Sequence, residues 1–220
     1  MNKKLLLAAA ALAAGAAHAQ VAGTWFGSVG ATRISPNTES GSLSAPSSPN
    51  TQVELGADTE ATINLGYMLT DHWAVEVPIG LGFKHDINGA GSISGVGRIG
   101  TVKVLPVSVF ATYRFLEPQA RFRPYLAAGL TWAHFYDEQG SATLNAINPI
   151  SPPGGTTLSV DDKFGWSVGA GVTAMITDRW FVDFHYSRTW LKTTTTLNSG
   201  QKIDTRLDPD SWTIGVGYRF

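Results

Sequence analysis

The chain has 220 residues, 16 basic against 17 acidic, with no cysteine, 24 glycines, 7 tryptophans and only 15% charged residues. A net charge of −1 with no dominant basic face excludes a general polyanion or nucleic-acid binder, and the lack of cysteine excludes a disulfide framework. Past residue 20 no apolar run approaches the ~18 residues of a membrane helix, so this aromatic- and glycine-rich composition points to a membrane β-barrel.

The chain opens with Lys3 and Lys4, an apolar run from Leu5 to Ala17, and the small-x-small sequence Ala17-His18-Ala19. Residues 1–19 therefore read as a secretory signal peptide, and 20–220 as one exported barrel domain. Without Lys3 and Lys4 the mature chain carries 14 basic and 17 acidic residues, a net charge of −3.

Strands are legible by parity, because successive side chains of a strand face opposite sides of the sheet. The first, around Trp25 to Ile34, alternates least clearly. In the next, Ala61, Ile63, Leu65 and Tyr67 oppose Glu60, Thr62, Asn64 and Gly66. Trp73, Val75, Val77, Ile79, Leu81 and Phe83 then oppose Ala74, Glu76, Pro78, Gly80, Gly82 and Lys84. Val107, Val109, Ala111, Tyr113 and Phe115 oppose Ser108, Thr112 and Arg114, with Phe110 on the polar side. The strands near 123–132, 164–176, 180–187 and 212–220 alternate in the same way, which makes eight. Aromatic residues gather at the strand ends, Trp73, Trp180, Tyr218 and Phe220 at one rim and Phe83, Trp132 and Trp166 toward the other. Such girdles place the apolar face against lipid, although a soluble barrel of the lipocalin type has the same parity seen inside out.

Connections set the topology. Short links at 70–72, 117–121 and 177–179 alternate with longer ones at 36–56, 85–100, 139–158 and roughly 197–201. This is an all-β, eight-stranded antiparallel transmembrane β-barrel with short periplasmic turns and longer extracellular loops. The phrase YMLTDHW at 67–73 returns as AMITDRW at 174–180, which marks two equivalent periplasmic corners. There the Asp71 and Asp178 carboxylates suit tight turns by accepting backbone hydrogen bonds, and Trp73 and Trp180 anchor the rim. The Ser-, Pro- and Gly-rich long loops read as mobile and surface-exposed.

The inward face carries Glu60, Glu76 and Asp183 with Arg114, Arg123 and Arg219, several of them near the short-turn rim. Unpaired charges in a lumen are costly, so these predict an ion-pair plug in the periplasmic half, which would close the pore to ions and send a hydrophobic solute sideways. The same charges also serve simply to stabilise the interior. Phe135, Leu105 and Leu191 would line an apolar vestibule in the outer half, and Pro78, which cannot donate to the ladder, predicts a local break beside it.

Other motifs carry no chemistry. Asp183, His185 and Ser187 stand two apart, about 6.5–7 Å along a strand, too far for a catalytic triad's hydrogen bonds. GVGRIG at 95–100 lacks the βαβ context of a dinucleotide fingerprint. His72, His85, His134 and His185 show no metal-ligand spacing. No catalytic residue, metal or cofactor is expected.

The segments YMLTDHWAVEV, FKHDI, VLPVS, RFRPYLAAGLTW, FYDE, DPDSW and GVGYRF together resemble the OmpW family of small outer-membrane barrels, over essentially the whole mature chain. The resemblance implies a barrel that helps small hydrophobic compounds enter Gram-negative cells, with some relatives serving alkane uptake. It implies outer-membrane lipid, a small hydrophobic solute and the outer-membrane insertion machinery as partners, the last through terminal Phe220; a monomer is expected. It also implies bulky apolar gates on the third and seventh strands, where this chain has Pro78 and Ser187. The remaining alternative is a structural or adhesive barrel with a plugged lumen, whose loops bind a ligand.

Overall fold

The computed structural model describes residues 21–220; the signal-peptide expectation for 1–19 lies outside the described residues. In chain order these contain β1 (Trp25–Ser35), β2 (Glu39–Ser40), β3 (Thr51–Leu55), β4 (Asp58–Met68), β5 (Trp73–Gly80), β6 (Phe83–Gly91), β7 (Arg98–Arg114) and β8 (Phe122–Gly140). There follow helix α1 (Ala142–Ile147), β9 (Leu158–Val160), β10 (Lys163–Met175), β11 (Trp180–Trp190), β12 (Lys192–Leu197), β13 (Lys202–Arg206) and β14 (Asp210–Arg219). Eight antiparallel staves close the barrel: β1, β4, the pair β5 and β6 in line, β7, β8, β10, β11 and β14. β1 completes the ring by pairing with β4 on one side and β14 on the other, Val29 facing Ile63 and Val216.

Side-chain parity sets inside and outside. Val29, Ile63, Leu65, Leu126, Val168 and Ile214 stand exposed on the outer wall, while Thr112, Arg114, Tyr125 and Thr173 are buried inside. An apolar band ringed by aromatic pairs, Trp25 with Tyr67, Trp73 with Tyr113 and Trp180 with Tyr218, suits lipid rather than water. The lipid-facing reading of the barrel therefore holds, and the soluble inside-out reading does not.

The two repeated corners are built alike, but by threonine rather than aspartate. Thr70 Oγ1 accepts from the Trp73 and His72 N–H groups at 2.9 and 3.2 Å, and Thr177 Oγ1 accepts from Trp180 and Arg179 at 3.0 and 3.3 Å. Asp71 instead accepts from the Ala22 N–H at 2.9 Å, tying the segment just before β1 to this rim. The hydroxyl is short enough to reach back over the turn while its methyl stays outside, so the Thr of each phrase, not the Asp, closes it.

The third stave departs from the sequence reading. The β5–β7 ladder pairs Glu76 with Phe110 and Ile79 with Val107, but none of its pairs includes Val77 or Pro78. Continuing that register would set Phe83 opposite Lys103, whereas it faces Val104. One residue is thus inserted near Gly82, whose φ is +93°. The insertion flips the parity: Leu81 is 73% exposed, while Phe83 is 1% exposed and points inward, with His85 and Ile87. Phe83 is therefore a lumen residue and not part of the outer girdle, and Lys84 is on the outside.

The long loops carry secondary structure of their own. The segment 85–100 is largely the hairpin of β6 and β7, which rises above the lipid band with the 17 and 19 residues of β7 and β8. At about 3.3 Å per residue such staves exceed the hydrocarbon layer. The last link is longer than residues 197–201; it contains the β12–β13 hairpin, whose turn those residues are. β2, β13, β12 and β9 form a second, four-stranded sheet over the mouth. The four consecutive threonines Thr193 to Thr196 lie in β12 of this cap. α1, whose Ser141 cap accepts from the Leu144 N–H at 3.2 Å, buries Leu144 beneath it with Leu158, Val160 and Leu197.

Candidate functional site

Three cavities descend the barrel axis from the cap. The uppermost, about 200 Å³, is walled by Leu43, Ile87, Val102, Leu144, Leu197 and Ile203. The middle one, about 110 Å³, is walled by Ile34, Phe83, Val104, Leu191 and Pro78, among others. Leu55, Phe135 and Leu207 line both and form the collar between them. The lowest, about 50 Å³, meets the middle at Phe110, His185 and Pro78, and has Asn64, Glu76, Tyr125 and Asp183 around its floor. Apolar walls above and polar groups below make this an apolar shaft that ends on charge.

The floor is one connected network. Arg114 of β7 donates through Nη2 to Glu76 of β5 at 2.7 Å and through Nη1 to Thr173 of β10 at 2.7 Å. Thr173 donates to Asp183 of β11 at 2.6 Å, and the Tyr125 hydroxyl of β8 donates to the other Asp183 oxygen at 2.7 Å. Asn64 and Thr112 supply Glu76 with two further donors at 2.7 and 2.9 Å. The guanidinium lies over the Phe26 and Tyr125 rings, 4.9 and 4.7 Å from their centres, where the negative faces favour a cation. Below it Phe26, Met68, Ala74 and Phe181 pack into a small apolar seal. Bare backbone makes room for that seal: a Cβ on Gly66 would sit 2.1 Å from the Phe26 ring, and one on Gly217 the same distance from Phe181.

Of the six charges expected to act together, Glu76, Arg114 and Asp183 are joined in this network. Glu60 is not: it faces inward but higher, and makes no ion pair among the described residues. Asn64, four residues nearer the periplasmic turn on β4, takes the place beside Glu76. Arg123 donates to the Asp71, Leu116 and Phe115 carbonyls at 2.7, 3.2 and 3.3 Å, pinning the first two periplasmic turns. Arg219 is buried against the Met175 sulfur and forms no ion pair among the described residues. In the shaft, Phe135, Leu191, Ser187 and Pro78 line the cavities, but Leu105 stands on the outer face and Val104 fills the lumen position. Asp183 is engaged by Tyr125 and Thr173, and His185 stacks on the Tyr125 ring at 5.7 Å, so Asp183, His185 and Ser187 form no relay. Phe220 stands exposed at the rim against Tyr218, its N–H donating to the Trp25 carbonyl at 2.9 Å. Tyr125, Thr173, Asn64 and Thr112 were missed as floor residues, although parity already set each of them inward.

Beside the middle cavity the wall is weakened. The β4–β5 ladder stops at Thr62 and Gly80, and above it the Lys84 N–H is received by the Asp58 side chain at 2.7 Å instead of by backbone. Val77 and Pro78 are paired to β4 but not to β7, and Leu81 and Gly82 have no ladder partner on either side, so the weak point of the stave is at 81–82.

The OmpW family profile matches residues 21–220. Outer membrane protein W of Vibrio cholerae is 32% identical over 218 residues, covering 96% of this chain and 95% of that one. The dibenzothiophene metabolism operon protein PahQ of Pseudomonas aeruginosa is 23% identical over 179 residues, 78% of this chain and 76% of its own. In fold, the chain is similar to the crystal structure of the outer membrane protein OprG from Pseudomonas aeruginosa, with a TM-score of 0.83 at 22% identity over 92% of this chain and 99% of the other.

Proposed function

The chain belongs to the OmpW family and is an outer-membrane barrel of a Gram-negative bacterium, and we propose that it aids passive uptake of small hydrophobic molecules. Solutes leave water in the cavity under the cap, pass the Leu55, Phe135 and Leu207 collar and reach the middle cavity. Their way straight down is blocked by the Glu76–Arg114–Asp183 floor, so they leave sideways into the bilayer where the third stave is loosely bonded, near Pro78 and Gly82. The observation that carries this reading is the apolar shaft that ends on a sealed charged floor beside a break in the wall. A relative named for a dibenzothiophene metabolism operon supports the same chemistry. Ser187 and Pro78 leave the shaft without the bulky gates the resemblance implies, and Leu55, Phe135 and Leu207 are among the side chains shared by the two upper cavities. On this reading the barrel works as a monomer, and Phe220 serves the insertion machinery.

The test is uptake of labelled hydrophobic compounds into cells making this protein, compared with cells making an eight-stranded barrel that has no uptake role. Faster uptake supports the proposal. Equal uptake across several compounds sinks it, and favours a structural or adhesive barrel whose cap binds a ligand.

A further inference from the structure

The middle cavity is less uniformly apolar than its outline suggests. Two chains of hydroxyl groups run around it. On one arc Ser108, Thr131, Ser167 and Thr189 follow one another across β7, β8, β10 and β11 with oxygens 2.8, 2.7 and 2.7 Å apart. On the opposite arc Thr62, Thr32 and Thr213 do so across β4, β1 and β14 at 2.9 and 2.7 Å. Ser187 and Ser211 face one another across β11 and β14 between the arcs, and their hydroxyls make no hydrogen bond among the described residues.

Counting protons shows what is left over. Each hydroxyl owns one O–H and two lone pairs. Four hydroxyls joined by three bonds leave one O–H unused, and three joined by two leave one more. Neither chain has another side-chain acceptor among the described residues, so each presents one spare donor, whichever way its hydrogens run. A buried O–H with no acceptor is costly, and a hydrocarbon in the cavity leaves it so. The remaining wall is mostly apolar, with Ile34, Phe83, Val104 and Phe135 and the His85 and His185 rings as its other polar members, and it carries no carboxylate, lysine or arginine that would compensate an ion.

We infer that the middle cavity selects neutral hydrophobic molecules that carry an oxygen acceptor, such as ketones, aldehydes, esters and alcohols, over hydrocarbons of the same size. The inference rests on the reading that solutes pass through this cavity. Their apolar bodies lie on the phenylalanine and aliphatic wall while the oxygen takes a spare O–H from one arc.

The experiment compares labelled 2-nonanone with labelled 2-methylnonane in the same uptake assay, each expressed as enhancement over cells making the control barrel. The ketone's enhancement should exceed the hydrocarbon's by about two- to tenfold, the worth of one net hydrogen bond. Thr32→Val/Thr62→Val/Thr213→Val with Ser187→Ala/Ser211→Ala, and Ser108→Ala/Thr131→Val/Ser167→Ala/Thr189→Val, each remove a whole arc, so no partner is left unpaired. Folding of each variant is checked by its heat-modifiable gel migration. At least one variant, or the two combined, should bring the ratio of ketone to hydrocarbon enhancement toward one. Equal enhancement of both compounds by the wild-type protein overturns this inference and leaves the proposed function standing. A ratio that folded variants do not change also overturns it. No enhancement of either compound overturns both.

Discussion

Replacing Arg114 by methionine is the sharpest test of the floor. Arg114 is 1% exposed and Glu76 6%, so the change leaves a carboxylate buried with only Asn64 and Thr112 as donors, and strips the Thr173 hydroxyl of its own donor. Removing one partner of a buried pair costs about 3–5 kcal/mol, most of it from the charge left behind. The Arg114→Met/Glu76→Gln double variant removes both charges, and an amide at 76 still accepts from Thr112. Its cost should fall to about 1–2 kcal/mol, roughly 2–3 kcal/mol below the Arg114→Met single and further below the sum of the Arg114→Met and Glu76→Gln singles. Urea titration of folding into lipid vesicles, followed by tryptophan fluorescence, reads both values. A single variant costing under about 1 kcal/mol, or a double whose cost is the sum of the two singles, would refute the argument that these charges hold one another.

Four further outcomes follow from the geometry. Thr177→Val should destabilise the barrel by about 0.5–1.5 kcal/mol in the same titration while Asp178→Ala changes little, because the hydroxyl and not the carboxylate closes that corner. Gly66→Ala should cost about 1–3 kcal/mol by driving a methyl into the Phe26 ring, and Phe26→Leu in the same chain should recover part of it. Ala61→Cys with Leu81→Cys would face each other if the Thr62–Gly80 register ran on; oxidised, the pair should slow hydrophobic uptake to the control level, and reductant should restore it. Glu60→Gln should leave stability within about 0.5 kcal/mol of wild type, since no ion pair holds that carboxylate; a loss of several kcal/mol would return Glu60 to the floor.

The sequence by itself determined the staves, the short turns and, for most of the wall, which side chain faces the lumen, because a strand's period of two leaves no third choice. Thr112, Arg114, Tyr125, Thr173 and Asp183 were all fixed inward by that rule alone. Depth was not legible. Which inward residue meets which depends on the stagger between staves, so Glu60 and Asn64 were indistinguishable by parity, yet only Asn64 lies level with Glu76. The inserted residue at Leu81–Gly82 was hidden because Leu81 and Phe83 are both apolar, and an unbroken alternation fits them equally well. That one residue exchanged Phe83 for Lys84 in the lumen. The cap was hidden for a different reason: its strands are short, and β9, β12 and β13 bury their few aliphatic residues only against one another and the barrel mouth, a partnership that exists only once the chain has closed.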